Sequence, residues 1–399
     1  MVKLSKFVSY TAATYITSFV SILSSIIIAQ SLGVESFGYF QIFIAVFATL
    51  VVFVSPNFEE VIIKAVSQKK THPLTFLFLC ELLFRAVIAL IILGNYKTIS
   101  SLFGLPHDLL GPSVVFVAIF LVPPVSVIDG YLRARHVELW QNLMKLSASV
   151  LFLLALAVAY RFSELTLQMV VSMALATKIL ERAFQVVLVL KVKTSGFDWR
   201  PGETSSTLAV IKEAMWAGLG LMASFPIKSV ALVSALFFPP SVVGLVKLAD
   251  NLALMAYQVA TATYKLQLPD IVSSFGKDSI AKPSYAYLAV TLIGLMIGVS
   301  LYFIVPIAYG DDFAHAIPYF WILLGGYIAA STIYKAPGNA LASNSLANIF
   351  YVRLAVSVIF MFCVYLFGAE NAFIYVAIVS FFKYLLMVVF NQQSKWALR

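Results

Sequence analysis

SFPIKSVALVSALFFPPSVVGLVKLAD, Ser224 to Asp250, is apolar enough to lie in hydrocarbon, yet it carries Lys228, Lys247 and Asp250 and is broken by the pair Pro239-Pro240. A charge at bilayer depth costs about 2.5–3.5 kcal/mol on insertion scales, so it faces a bundle interior or a water-filled path instead of lipid, and marks a functional position by default. The stretch therefore reads as the second half of one membrane span, a Pro-Pro turn and the start of the next.

The rest of the chain has the same character. Of 399 residues 61% are hydrophobic and 11% charged, with a mean hydropathy of +0.96. Apolar runs of about 20 residues, the length that crosses roughly 30 Å of hydrocarbon as a helix, recur from end to end. An all-α polytopic membrane protein with about twelve transmembrane helices is expected. Its spans lie near 7–31, 37–58, 74–95, 111–131, 139–160, 165–190, 210–237, 241–264, 285–308, 316–336, 346–367 and 371–391. The start, MVKLSKF, precedes a long apolar run with no A-x-A-like site, and reads as a retained helix, not a cleaved signal. Cys80 and Cys363 fall inside apolar runs and read as small core residues, not as a disulfide or metal pair.

The net charge of +9 is distributed by membrane topology and does not imply nucleic acid. With the N-terminus inside, the cytoplasmic segments hold most of the loop cations, among them Lys69, Lys70, Arg133, Arg135, Lys265 and Lys335, whereas the outer loops hold only Lys97 and Arg161. Lys and Arg in short loops resist translocation, which places both termini in the cytoplasm. No loop is long enough to fold as a separate domain.

An internal repeat organises the spans. Gly38 matches Gly244 (244 − 38 = 206), and Gly104 matches Gly310, Asn142 matches Asn348 and Glu164 matches Glu370 at the same offset. Six spans per half keep both halves in one orientation. That predicts a parallel-repeat, alternating-access transporter with its two-fold axis along the membrane normal and its substrate between the lobes. Residues 1–190 form the N-terminal lobe, 191–209 a cytoplasmic linker and 210–399 the C-terminal lobe.

Within the spans the cations Arg85, Lys145, Lys178, Arg182, Lys228, Lys247, Arg353 and Lys383 outnumber the acids Glu81, Asp129, Glu181 and Asp250. Glu81 and Arg85 stand at i, i+4, and Lys178, Glu181, Arg182 and Gln185 form a stripe on one helix face, so each set is either a structural seam or part of a pathway. Lys145, Lys178 and Arg353 lie where a long side chain can snorkel. Lys228 lies mid-span with no acid within a turn; Lys247 and Asp250 either pair with each other or divide between partners. The first-half equivalents of these three are Ile22, Gln41 and Ile44, so the charge belongs to one lobe. Candidate cavity residues are Lys228, Lys247, Arg85, Arg182 and Arg353; candidate coupling or ion-pair residues are Asp250, Glu81 and Glu181. Asp129 and Lys335, repeat equivalents at the inner span ends, are a candidate cytoplasmic gate.

The cluster Asp311, Asp312 and His315 reads as a solvated loop, since no second cluster exists to complete a metal or acid-base site. No Walker loop or nucleophile elbow appears. The chain is read as neither an enzyme nor a cofactor protein.

The repeat landmarks also carry a resemblance. SLGVESFGYF (31–40), VVGLVKLADNL (242–252) and YGDDFAHAIPYF (309–320) resemble signatures of bacterial polysaccharide (O-antigen) flippases, of the multidrug, oligosaccharidyl-lipid and polysaccharide exporter superfamily. Val246 stands where that family often has Tyr. The resemblance implies flipping of an undecaprenyl-pyrophosphate-linked oligosaccharide across the bacterial inner membrane for surface polysaccharide, including lipopolysaccharide, biosynthesis. It also implies a polysaccharide polymerase and a chain-length regulator as partners. A multidrug or cation exporter of the same fold would need acids where this interior is basic. An integral-membrane polymerase or ligase would need a large outer loop.

Overall fold

The computed structural model describes residues 4–53, 58–67, 74–106, 109, 111, 127, 129–130, 132, 138–162, 164–191, 204–273, 286–343 and 346–396. In chain order the helices are α1 (Leu4–Phe53), α2 (Phe58–Ser67), α3 (Leu74–Gly94), α4 (Tyr96–Leu102), α5 (Glu138–Phe162), α6 (Leu167–Lys191), α7 (Thr204–Lys228) and α8 (Val230–Ser234). They continue as α9 (Pro240–Ser273), α10 (Ala286–Tyr309), α11 (Ala316–Ser331), α12 (Ala336–Ser343), α13 (Leu346–Cys363) and α14 (Ala372–Trp396). All but the fourth expected span coincide with one of these elements or a pair of them; most of 111–131 lies outside the described residues.

The surface carries the apolar side chains that a protein in water would bury. Ile307 is 82% exposed and Met296 72%, and Leu83, Leu90 and Phe303 are likewise exposed. Such a belt fits lipid, which solvates it at no hydrophobic cost, while helices keep every backbone polar group satisfied within the span.

The 50-residue α1 is broken at Gly33 (φ 74, ψ 173). A straight helix of that length would run about 75 Å, more than twice the hydrocarbon thickness. Ser21 and Ile44, 23 residues apart in sequence (44 − 21), nevertheless line one small cavity of about 250 Å³. The chain must therefore fold back at Gly33, and α1 is the expected first pair of spans. Gly104 (φ 61) and Gly310 (φ 100), matched at the 206-residue offset, also share left-handed backbone, where a side chain would be strained.

The two halves meet mainly along α1 and α9. A Cβ placed on Gly244 would come within 3.2 Å of the Gly38 Cα, so these repeat-equivalent glycines face each other in direct backbone contact. Gln258 of α9 also donates a hydrogen bond to Ser18 of α1.

Two boundaries differ from expectation, and both bear on function. Helix α9 runs on to Ser273, past the expected end near 264, so Lys265 belongs to a helix and not to a cytoplasmic loop. No breaker lies before Pro269, and an apolar face (Ala260, Ala262, Leu266, Leu268) stays buried across the boundary. The seventh span is divided: α7 ends at Lys228, and Ser229 (φ −97, ψ 76) separates it from α8. Pro226 has no N–H for the ladder, and Lys228 sits at a helix end instead of in mid-helix.

Candidate functional site

A cavity of about 330 Å³ opens among second-half helices, bordered by α2 from the first half. Three cations from three helices line it: Lys228 from the end of α7, Lys265 from α9 and Arg353 from α13. Glu59 of α2 is the one acid in its wall, and Tyr257, Tyr264 and Tyr334 supply hydroxyl-bearing rings. Among the described residues the lining is thus positive by two charges, three cations against one carboxylate. Arg353 is 7% exposed, and its guanidinium lies 5.5 Å from the centroid of the Phe390 ring. Gly220 of α7 makes room for it, because a Cβ there would stand 3.0 Å from an Arg353 guanidinium nitrogen.

One wall of the cavity leads into a buried ion network. Tyr257 packs on Tyr327 of α11, ring centroids 5.0 Å apart. The Tyr327 hydroxyl donates to Asp250 Oδ1 at 2.9 Å and accepts from Lys383 Nζ at 2.7 Å. Lys383 of α14 also donates to Asp250 Oδ1 at 2.7 Å, with its ammonium 4.3 Å from the Tyr327 ring centroid. Lys247, one helical turn before Asp250, donates to Oδ2 at 3.0 Å. One carboxylate, 3% exposed, therefore ties α9 to α11 and α14. Of the two readings of Lys247 and Asp250, the structure shows both at once: they pair, and Asp250 is shared with Lys383.

The remaining candidates are held elsewhere. Arg85 donates to Glu81 Oε1 at 3.0 Å inside α3, and Glu81 Oε2 accepts the Val127 N–H at 3.3 Å. Lys178 and Glu181 pair at 2.8 Å. Arg182 donates to Gln185 at 2.6 Å and lies 3.7 Å from Asp129. The expected gate is not made in this conformation. Asp129 accepts from Gln141 at 2.7 Å beside Arg182, while the Lys335 ammonium lies 5.7 Å from the centroid of the Tyr334 ring. Partners on adjoining first-half helices reach Asp129, whereas Lys335 lies in the turn between α11 and α12.

So Lys228 and Arg353 share one cavity, Lys247 and Asp250 border it through Tyr257, and Arg85 and Arg182 belong to first-half ion pairs. Sequence reasoning missed Lys265, Glu59, Tyr257, Tyr327 and the role of Lys383. Two signals were present. Glu59 and Lys265 are repeat equivalents (265 − 59 = 206) of opposite charge, and Lys383 is a span cation with no acid within a turn. Asp311, Asp312 and His315 form an exposed 3-10 turn, and no metal-holding cluster occurs among the described residues.

No protein-family model and no curated protein sequence matches the chain. Solved structures share its fold over nearly the whole length. The lipid II flippase MurJ in an inward closed conformation is 13% identical with a TM-score of 0.67, the match covering 97% of this chain and 87% of that one. The Vibrio cholerae MATE transporter VcmN in its bent form is 16% identical with a TM-score of 0.56, covering 99% and 97%. An outward-facing multidrug resistance MATE family transporter of the MOP superfamily is 15% identical with a TM-score of 0.57, covering 98% and 95%. The protein is a multi-pass membrane protein with the fold of these transporters, as the repeat predicted.

Proposed function

We propose that this chain flips a polyprenyl-pyrophosphate-linked oligosaccharide, such as the repeat unit of a surface polysaccharide carried on undecaprenol, from the inner to the outer leaflet of a bacterial inner membrane. The observation that carries the reading is the cavity in which Lys228, Lys265 and Arg353 converge among tyrosines. A pyrophosphate bears at least two negative charges. Ammonium and guanidinium groups held in a low-dielectric wall offset the cost of taking it out of water, and Arg adds planar donors suited to phosphate oxygens. The prenyl chain would remain in lipid, and rocking of the first half (1–190) against the second (210–399) about the linker at 191–209 would carry the head group across. Both termini would lie in the cytoplasm.

Export of cationic drugs is less well supported by the residues. A cation is best met by an acid without a fixed counter-charge, yet Glu81, Glu181 and Asp250 each sit against a Lys or Arg, and Glu59 shares its cavity wall with three cations. For the same reason Asp250 is read here as the centre of an ion network and not as a proton carrier.

The reading is tested in proteoliposomes holding a labelled undecaprenyl-pyrophosphate-linked sugar in the inner leaflet. Protein-dependent appearance of label in the outer leaflet is expected, and its absence alongside uptake of a lipophilic cation would overturn the proposal. Lys228→Ala is expected to lower that rate about tenfold or more, the weight of one charge-assisted contact, while Lys228→Arg keeps part of it. Full activity of Lys228→Ala at normal expression would remove the phosphate contact. Gly220→Val should act like Arg353→Ala without altering any charge, since the new methyls occupy the space of the guanidinium. A Gly220→Val rate equal to wild type would show that Arg353 needs no fixed place.

A further inference from the structure

We propose that the smaller cavity, on a different face of α9, is a binding site for an uncharged, hydroxyl-rich group: a sugar unit of the carried glycan. The inference rests on the lipid-linked reading above and adds to it the place where the glycan is recognised. The cavity holds about 250 Å³ among the first-half helices α1, α5 and α6, closed on one side by Asn251 of α9, below the roughly 300–1,000 Å³ of drug-sized sites and suited to a single ring.

Its polar side chains come from the first half, except for Asn251 of α9. Gln41 of α1 is 6% exposed and faces the cavity. Its amide has no hydrogen-bond partner among the described residues, and neither has that of Asn251 on α9, which faces the same space. Both amides open to the cavity and are available to a ligand's hydroxyls. Each amide offers two donors and a carbonyl acceptor, the mixture that a sugar's hydroxyls and ring substituents require.

Most of the hydroxyls in the wall select for donors on the ligand, Ser149 being the one with no hydrogen bond among the described residues. The hydroxyls of Ser21, Ser24 and Ser25 donate back to Thr17, Val20 and Ile22 of their own helix, and that of Thr177 donates to Met173. Their protons are committed to backbone carbonyls, so they present lone pairs, although Ser25 already accepts from the Tyr309 hydroxyl at 2.6 Å. A ligand rich in O–H groups meets that demand. The lone carboxylate, Glu181, is already paired with Lys178 at 2.8 Å, which leaves the cavity close to neutral. It therefore attracts neither a phosphate nor a drug cation by charge. Phe40 and Phe152 complete the lining with apolar surface for ring C–H groups.

The relation to the cationic cavity follows from helix geometry. Successive residues on a helix point about 100° apart; Asp250 faces Lys383 and Tyr327, and Asn251 turns to a different face and lines the smaller cavity. The two sites lie on different faces of α9 and are offset along it, Asn251 lining one and Tyr257 to Leu268 the other. Charge is handled on one face and hydroxyls on another.

The test uses the full chain in nanodiscs and compares the affinity for undecaprenyl pyrophosphate bearing one N-acetylglucosamine with that for bare undecaprenyl pyrophosphate. Gln41→Met and Asn251→Leu, both near the native volume and checked by thermal melting, should each weaken the glycosylated ligand about tenfold. They should leave the bare one within about twofold, whereas Lys228→Ala should weaken both. If the wild type binds both carriers and the two amide variants leave their affinity ratio unchanged, the sugar site is wrong and the flippase reading stands. If the wild type binds neither carrier, both fall together. Tetraphenylphosphonium binding that is lost in Gln41→Met would reassign the cavity to a lipophilic cation.

Discussion

Asp250→Leu is expected to cost about 3–5 kcal/mol of stability in detergent, the range measured when one partner of a buried ion pair is removed. The substitution removes the one carboxylate that Lys247 and Lys383 both reach and takes the acceptor from the Tyr327 hydroxyl. The Lys383 side chain is only 12% exposed, so its ammonium has little access to water, while that of Lys247 is 24% exposed and can turn toward solvent. This difference sets the control. Removing Asp250 and Lys383 together, as Asp250→Leu with Lys383→Met, should recover a large part of the loss, because replacing a whole buried pair by apolar groups is often close to neutral. Thermal melting of the three proteins decides it. A double variant no more stable than Asp250→Leu would show that the loss does not come from the uncompensated charge.

The second large effect is steric. A Cβ on Gly38 would overlap the backbone carbonyl of Pro240, and backbone cannot move aside as a flexible side chain can. Gly38→Ala should cost at least the ~1–3 kcal/mol of ordinary overpacking, and Gly38→Val more. Gly244→Ala should be milder, since its nearest neighbours stand at 3.2 Å and a shift of a few tenths of an ångström accommodates it. Melting curves for the three variants check the order, and Gly244→Ala as harmful as Gly38→Ala would contradict it.

Much of this was open to reading from the chain. Hydrocarbon thickness sets span length, so eleven of the expected spans fall on described helices, most with ends within a few residues, and the hairpin at Gly33 and the Pro239-Pro240 turn mark where a strictly helical segment must reverse. The pairs Glu81–Arg85 and Lys178–Glu181 were legible because helical neighbours are fixed by a spacing of three or four. The Asp250–Lys383 bond spans 133 residues, and no local periodicity encodes such a meeting. Lys265 was misplaced because a charge was taken as the end of a span, when here it lies inside a longer helix facing a cavity. Asp129 and Lys335 show the limit of repeat reasoning: equivalence by symmetry brings residues together only on the axis.

Gly38 and Gly244 lie where that condition is met, and their contact resembles the dyad of a homodimer more than a joint inside one chain. In an isologous interface each residue on the two-fold axis meets its own copy, so its volume is counted twice and only small or self-complementary residues fit. Positions away from the axis are released from that constraint. Ile22 and Lys228 show the result, one half keeping an apolar residue where the other has placed a charge beside the cavity. The repeat leaves the two axial glycines bound to each other and the two walls free to specialise separately.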